Sequence, residues 1–201
     1  MDGMLYKLFF STTQQAEPPE LFEQRQSLGI RRLLTADMSW SNQKFTGYTV
    51  DLFPSLKAVR DYDQFARETG GLLPGESYLG IPMDENFPDF FAPAPQEDEA
   101  PVYRVYFSRP STEVFGVEVK KYQAALQLVN EARARAGGRQ IIAAYMRWNN
   151  EEWEYYGVER FPSTNDLLIY SQFLTEQGWY RYTTAISYIS IATGGILSGL
   201  E

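Results

Sequence analysis

The hydrophobic pattern of the second half of the chain changes its period several times, and each change predicts a new element. Residues 103–108 alternate and are rich in aromatic and β-branched side chains, which is typical of a strand. From about 118 to 136 the apolar residues recur with the period of a helix, which Gly137-Gly138 ends. The full prediction for this half is strand 103–108, helix 118–136, strand 140–148, strand 153–161, a helix between Ser163 and Gly178, and strand 184–191.

The first half shows the same succession of patterns. Ser163 is a predicted N-cap, because its hydroxyl can accept a hydrogen bond from the free amide of Asp166. In the first half, Ser55 starts the matching helix after an identical Phe-Pro pair. The prediction for this half is strand 5–11, helix 18–28, strand 30–40, strand 45–53, helix 55–69 and strand 77–82.

The two halves are related by an internal repeat. Residues 38–70 align with residues 146–178 at a constant offset of 108, and 13 of the 33 positions are identical. Residues 6–11 match 103–108 at an offset of 97, so the 11-residue difference falls around the first helix. Self-similarity of this kind predicts two similar structural units in one polypeptide.

The predicted domains are a first repeat over 1–82, a linker over 83–101 and a second repeat over 102–201. The linker is rich in proline and acidic residues, which resist a packed core, although we expect Phe87, Phe90 and Phe91 to pack onto one of the repeats. The glycine-rich tail 194–199 is predicted to fray.

The order β-α-β-β-α-β is the ferredoxin-like arrangement, in which two helices cover one face of a four-stranded antiparallel sheet. Residues 140–146 are nearly all apolar, which fits a sheet that is buried on both sides. We therefore predict an α+β protein of two ferredoxin-like repeats, with antiparallel sheets packed face to face as an intrachain pseudo-dimeric α+β barrel.

Composition narrows the function mainly by exclusion. A net charge of −8 argues against binding to nucleic acid or to anionic membranes, and no apolar run is long enough to span a bilayer. Because the N-terminus lacks the basic flank of a signal peptide, the expected location is cytoplasmic. Aromatic residues reach 15%, which favours aromatic-lined cores or pockets.

The chain contains neither cysteine nor histidine. It therefore has no thiolate nucleophile and no imidazole for general base catalysis, zinc or haem. Acid–base chemistry would have to come from Asp, Glu, Tyr or Lys, and we expect no cofactor and no metal.

With its repeated element order, the chain resembles the dimeric α+β barrel superfamily in a fused tandem form. The segment Gly178-Trp179-Tyr180-Arg181-Tyr182 is similar to the end of small, uncharacterised darcynin-like members. The resemblance implies a pocket between the sheet and the helices of each half. The superfamily includes cofactor-free monooxygenases, isomerases, polyketide cyclases and haem enzymes, and this chain lacks the axial histidine of the haem members.

The repeated polar and aromatic residues are the candidate site. Trp148 and Asn150 follow the second strand of their repeat, where tryptophan could form an apolar wall and asparagine could polarise a carbonyl. The alternative is that tryptophan fills the core and asparagine makes the hairpin turn. Tyr156 and Tyr170 could donate a proton to a bound oxyanion, or could be buried with satisfied hydroxyls. The first-half equivalents are Trp40, Asn42, Tyr48 and Tyr62.

Three functions remain open. The first is the binding of a small aromatic or polyketide-like molecule without catalysis. The second is a cofactor-independent monooxygenase, isomerase or cyclase, with Tyr156, Asn150 and Tyr170 as catalytic candidates. The third is a non-catalytic interaction module. The expected assembly is a monomer, as a pseudo-dimer, or a homodimer.

Overall fold

The structure is a computed structural model that describes residues 3–13, 16–83 and 101–198. These residues form an α+β fold whose elements follow the predicted order. In chain order they are β1 (Leu5–Ser11), α1 (Pro19–Ser27), β2 (Arg31–Asp37), β3 (Gly47–Phe53), α2 (Leu56–Glu68), β4 (Gly75–Pro82), β5 (Val102–Pro110), α3 (Val119–Arg135), β6 (Arg139–Tyr145), β7 (Tyr155–Phe161), α4 (Thr164–Glu176) and β8 (Thr183–Gly194).

The chain divides into two compact units. The first comprises Met1–Pro82 and Ser190–Glu201, and the second comprises Met83–Ile189. The described residues from Ser190 onward, which the sequence analysis assigns to the second repeat, thus lie in the first unit. Most of the predicted linker, with Phe87, Phe90 and Phe91, lies outside the described residues.

The first unit has the strand order β4-β1-β3-β2, with antiparallel pairing throughout. The end of β8 extends this sheet, because residues 191–194 pair antiparallel with β2. Leu5 and Phe53 of the sheet share a core with Ala58 and Val59 of α2.

The second unit repeats this pattern, with β7 between β5 and β6 in antiparallel register and β8 next to β5. Val102 and Phe161 of the sheet pack with Ala132 of α3 and with Leu167 and Leu174 of α4. Every residue of β7 after Tyr155 is buried, as expected for a strand that is covered on both faces. The face-to-face packing of two sheets stays a prediction.

The starts of α2 and α4 confirm the predicted caps. The Ser163 hydroxyl accepts a hydrogen bond of 3.2 Å from the amide of Asp166, and Ser55 accepts one of the same length from Ala58. Each cap satisfies one of the amides that the first turn of a helix leaves without a partner.

The prediction of a frayed tail is wrong for residues 195–198. The amide of Leu197 donates to the carbonyl of Leu33 at 2.8 Å, and the Leu197 side chain is only 4% exposed. Because β8 pairs with β2, the residues that follow it stay hydrogen-bonded beside that strand. No helix in the described part of the chain is long and apolar enough to cross a membrane.

Candidate functional site

Each unit contains a cavity that is bordered by its own sheet and helices. The first has a volume of about 450 Å³ and the second of about 480 Å³, within the range of small-molecule pockets. The apolar and aromatic walls of the second cavity include Tyr122, Leu126, Val129, Tyr155, Leu174, Trp179 and Tyr180.

Beside the first cavity lies a group of polar side chains that we call the first polar cluster. It consists of one bonded network around Glu17 and a separate ion pair between Lys7 and Asp63. Asp51 on β3 lies in register with Lys7 on β1 and with Arg32 on β2. Arg32 Nε donates to Asp51 at 2.5 Å, and Arg32 Nη2 donates to Glu17 at 3.2 Å. Glu17 also accepts from Arg25, at 3.1 and 3.2 Å. The full cluster is Lys7, Glu17, Arg25, Arg32, Asp51, Tyr62 and Asp63.

The second cavity contains the corresponding second polar cluster, made of Arg104, Tyr106, Arg133, Gln140, Glu159 and Tyr170. Glu159 lies in the middle of β7, in register with Arg104 on β5. Its two carboxylate oxygens accept from Arg104 Nη1 and Arg133 Nη1, each at 2.8 Å. The Tyr170 hydroxyl adds a third hydrogen bond to Glu159, of 3.2 Å. The carboxylate is therefore held in one position by three donors.

Gln140 completes the second polar cluster at the position that Arg32 occupies in the first. Its side-chain oxygen accepts from Arg133 at 2.7 Å and from the Tyr106 hydroxyl at 3.1 Å. Gly157 makes this arrangement possible, because a Cβ there would lie 2.5 Å from the Gln140 amide nitrogen and 2.6 Å from the Tyr106 hydroxyl.

The two clusters use equivalent positions of the two repeats but differ in net charge. The equivalent pairs, first repeat before second, are Lys7 with Arg104, Arg25 with Arg133, Asp51 with Glu159, and Tyr62 with Tyr170. The first cluster balances three cations against three carboxylates. The second sets two arginines against one carboxylate, so it carries one excess positive charge among the described residues.

The two central carboxyl groups respond oppositely to their surroundings. Burial opposes the ionisation of Glu159, but Arg104 and Arg133 outweigh it and hold the pKa of this carboxyl below its usual value. Burial raises the pKa of Asp51 despite its contact with Arg32, and the negative charge of Glu17 adds to that rise.

The phenols of the second polar cluster stay protonated at neutral pH. Burial, followed by the charge of Glu159, raises the pKa of Tyr106 to about 12. The same two causes, in the same order, raise the pKa of Tyr170 well above its ordinary value. Both hydroxyls are therefore hydrogen-bond donors in this cavity.

Of the residues that the sequence predicts for the site, two border the second cavity. Tyr170 contributes its hydroxyl to the second polar cluster. Tyr156 is fully buried, and its hydroxyl has no hydrogen-bond partner within the described residues. Because side chains alternate along a strand, Tyr156 points to the face of β7 opposite that of Glu159. The structure therefore does not bring the two predicted hydroxyls together.

The first-half equivalents of these tyrosines, Tyr48 and Tyr62, border the first cavity. The four predicted tryptophans and asparagines lie in the two hairpin turns and do not border either cavity. Asn150 Oδ1 accepts from the amides of Glu152 and Trp153 at 3.0 and 2.7 Å, and Asn42 makes the same pair of bonds in the first unit, at 2.7 and 2.9 Å. Trp148 is 36% exposed and Trp40 is 51% exposed, so neither fills a core. Their predicted roles in ligand binding stay predictions.

Sequence reasoning missed five of the six residues of the second polar cluster, namely Arg104, Tyr106, Arg133, Gln140 and Glu159. A usable signal was present, because a charged residue interrupts an apolar strand at Glu159 and again at the repeat-equivalent Asp51. A charge in a strand that is buried on both sides needs a partner, and its recurrence at one repeat position indicates a shared buried site.

Searches of protein-family models and of curated proteins found no match. Among solved structures, a mutant chlorite dismutase from Candidatus Nitrospira defluvii matches with a TM-score of 0.71 and 9% identity, over 96% of this chain and 93% of that chain. A cyanide complex of another mutant of that enzyme matches at 0.70 and 12%, over 98% and 94%. An imidazole complex of the enzyme matches at 0.67 and 10%, over 94% and 91%.

These likenesses show that the chain has the α+β, ferredoxin-like fold of the chlorite dismutases, at identities too low to carry a function. The predicted fold class is thereby confirmed at that level, and the similarity to darcynin-like proteins stays a prediction. Among the residues that the structure describes, no group of three or more acidic side chains is placed to hold a metal ion.

Proposed function

We propose that this chain binds a small aromatic molecule in the cavity of its second unit. The observation that carries the proposal is a cavity of about 480 Å³ that combines aromatic walls with a fixed polar cluster. Trp179 and Tyr122 lie nearly parallel in its wall, with ring centroids 6.4 Å apart and an angle of 17° between the rings. Flat aromatic walls with a few oriented polar groups are typical of sites for ring-shaped ligands.

The polar groups of the cavity favour binding over acid–base catalysis. Both oxygens of Glu159 are engaged by arginines, and its lowered pKa makes it a weak base. Tyr106 and Tyr170 have raised pKa values, so they do not ionise near neutral pH. Among the cavity-lining residues described, the buried groups are therefore arranged to orient a ligand rather than to remove its proton.

The test is ligand-detected NMR with a library of small aromatic compounds, comparing wild type with a pair of matched variants. Ala143 lines the second cavity and Thr35 lines the first at the repeat-equivalent position. We expect Ala143→Leu to abolish binding by filling the cavity and Thr35→Leu to leave it intact. Binding that survives Ala143→Leu, or a library without a single hit, would contradict the proposal.

The alternative enzymatic function has a separate readout. If compounds that bind are also converted, Tyr156→Phe and Asn150→Ala test the catalytic candidates. Loss of turnover with folding intact would favour a cofactor-independent monooxygenase, isomerase or cyclase, and retained turnover in both variants would remove those residues from the site. An interaction module would bind none of the library.

Chlorite dismutation is the activity named for the structural neighbours, and we do not extend it to this chain. The superfamily that the chain resembles includes haem enzymes, whose iron needs a ligand from the protein. The chain has no histidine or cysteine to ligate iron. A tyrosine ligand would have to ionise, whereas Tyr106 and Tyr170 have raised pKa values. The residues present therefore do not fit a haem.

We also propose that the repeats descend from one ancestral unit and form an intrachain pseudo-dimer. The 13 identities in 33 aligned positions support a duplication, as do the equivalent asparagine turns and polar clusters. Sedimentation over a range of concentrations tests the assembly, and a monomer is the expected result. A dimer that stays intact on dilution would contradict it.

A further inference from the structure

We propose that the second cavity selects an aromatic carboxylate, and that the first cavity rejects it. This inference rests on the proposed function and names its ligand class. It starts from the charges that line the two cavities. The second cavity is lined by three arginines and one carboxylate, namely Arg104, Arg109, Arg133 and Glu159. The first is lined by two cations and four carboxylates, namely Lys7, Arg32, Glu17, Asp37, Asp51 and Asp63.

The second cavity is positively charged, although the whole chain carries a net charge of −8. Gln140 takes the place of Arg32 and removes one cation, but the positive charge still prevails because Arg109 adds a cation and because the carboxylates of Glu17 and Asp63 have no counterpart among the described residues that line the second cavity. Buried arginines without a full complement of carboxylates favour a ligand that brings its own negative charge.

Arg104 has the geometry to receive such a ligand. Within the described residues its guanidinium donates one hydrogen bond, to Glu159, although arginine has five N–H groups. Its orientation is fixed, because the guanidinium carbon lies 5.4 Å from the ring centre of Tyr106 and 5.9 Å from that of Tyr170. A planar guanidinium that is held in place this way can bind a carboxylate through two parallel hydrogen bonds.

Arg109 follows Arg104 by five residues on β5, so it lies on the opposite face of that strand, and it adds a positive charge at the exposed edge of the cavity lining. It donates to the carbonyl of Glu152 at 3.3 Å and lies over the ring of Trp153 at 5.8 Å. Its charge would attract an anion toward Arg104, while Trp179 and Tyr122 offer the apolar surface for a ring. The lining thus combines a cationic end with aromatic walls, which is complementary to an aromatic acid.

The experiment uses the full chain labelled with ¹⁵N and follows its four tryptophan indole signals, with Trp179→Phe identifying the signal of Trp179. The probes are benzoate, its neutral isostere benzamide, benzylammonium, and acetate, which carries the carboxylate without the ring. We expect benzoate to shift the Trp179 signal, benzamide to bind at least tenfold more weakly, and benzylammonium to leave that signal unchanged.

Arg109→Gln is the first variant, because an exposed side chain can be changed without unfolding the protein. We expect it to weaken benzoate binding severalfold and to leave benzamide unaffected. Glu159→Gln removes the competing carboxylate and should strengthen benzoate binding. Asp51→Asn is the matched control, since it makes the same chemical change at the repeat-equivalent position of the other cavity and should leave benzoate binding unchanged.

The outcomes separate this inference from the proposed function. If benzamide and benzoate bind equally, or if Arg109→Gln weakens both alike, the selection of an anion is wrong and aromatic binding stands. If acetate binds as tightly as benzoate, the aromatic part is wrong. If none of the probes shifts the Trp179 signal, the anion inference falls, and a library without hits would remove the proposed function as well.

Discussion

Glu159 and Asp51 hold the same position in the two repeats and meet opposite electrostatic conditions. Glu159 accepts from two arginines, which outweigh the cost of burial and lower its pKa. Asp51 accepts from Arg32 alone and lies near the negative charge of Glu17, so burial prevails and its pKa rises. Identical backbone positions thus carry carboxyl groups that contribute differently to stability.

Replacing Glu159 with glutamine should lower the free energy of unfolding by about 3 to 5 kcal/mol at neutral pH, because Arg104 and Arg133 would be buried without their carboxylate. Asp51→Asn should cost clearly less, since Arg32 keeps its bond to Glu17. Urea denaturation of both variants measures the difference. Equal losses would show that the second polar cluster has no special role in stability.

The pH dependence of stability should have opposite signs for the two groups. A lowered pKa means that the Glu159 carboxylate stabilises the fold above its unfolded pKa of about 4.3 and that this contribution is lost as pH falls through the folded value. A raised pKa means that ionised Asp51 costs stability as pH rises above about 3.9. As pH falls from 7 to 3, the free energy of unfolding of wild type should decrease relative to that of Glu159→Gln. Over the same range it should increase relative to that of Asp51→Asn. Parallel curves would contradict this.

At the residue scale, the sequence predicted the tyrosines better than the charges. Tyr170 was a candidate because it recurs as Tyr62 on an apolar helix stripe. Arg133 was missed because a basic residue in the last turn of a helix usually faces solvent, and only the structure brings it to Glu159 across 26 positions of sequence. Contacts between elements far apart in sequence leave no local pattern.

The helices and hairpins of the fold are delimited by short local motifs, turns and helix caps, that both repeats use. Each hairpin turn is held by an asparagine that accepts from two backbone amides, and each second helix of a repeat starts at a capping serine. The change of hydrophobic period predicted the elements between these motifs, so their order was readable from sequence. The order of the tail was not predictable, because a glycine-rich segment shows no sequence pattern that indicates pairing with β2.

Asn150→Ala should lower the free energy of unfolding by about 1 kcal/mol, because the amides of Glu152 and Trp153 lose their shared acceptor. Asn42→Ala should cost a similar amount, since Asn42 makes the same two bonds. Thermal melts measure both variants, and benzoate titration of Asn150→Ala should match wild type. Weaker benzoate binding with a normal melting temperature would show that Asn150 takes part in ligand binding.

The two serine caps should differ in strength. Ser163→Ala should cost about 1 kcal/mol, and Ser55→Ala somewhat less. The difference comes from Asp166, an acidic residue in the first turn of α4 that also accepts from the Ser163 hydroxyl at 2.6 Å, whereas α2 has no acidic residue in its first turn. Chemical denaturation of the two variants decides the order, and a larger loss for Ser55→Ala would reverse it.

At the scale of the whole molecule, the fold matches known structures although the sequence identity is very low. The chain matches chlorite dismutase structures over nearly its full length at identities of 9 to 12%, and it has no histidine or cysteine to ligate haem iron. The sequence predicted the ferredoxin-like fold through its repeat. It could not predict the charge of each cavity, because that charge depends on which side chains the elements bring together.

Haemin added to the purified protein should give the absorption spectrum of free haemin, without the Soret shift of a ligated iron. The physical reason is the absence of imidazole and thiolate groups, together with the raised pKa values of Tyr106 and Tyr170. Absorption spectroscopy checks this against a known haem protein as the positive control. Met83 lines the second cavity and carries a thioether that could ligate iron. A shifted Soret band that Met83→Leu or Tyr106→Phe removed would overturn the assignment.

Gly157 makes the second unit sensitive to a substitution that changes no charge. A single added methyl group there would force Gln140 and the Tyr106 hydroxyl apart, without altering any charge. The first unit has Thr49 at the matching position and is built without this constraint. A glycine-to-alanine change at 157 could therefore disturb the second polar cluster and leave the first unchanged, so the two repeats can diverge independently.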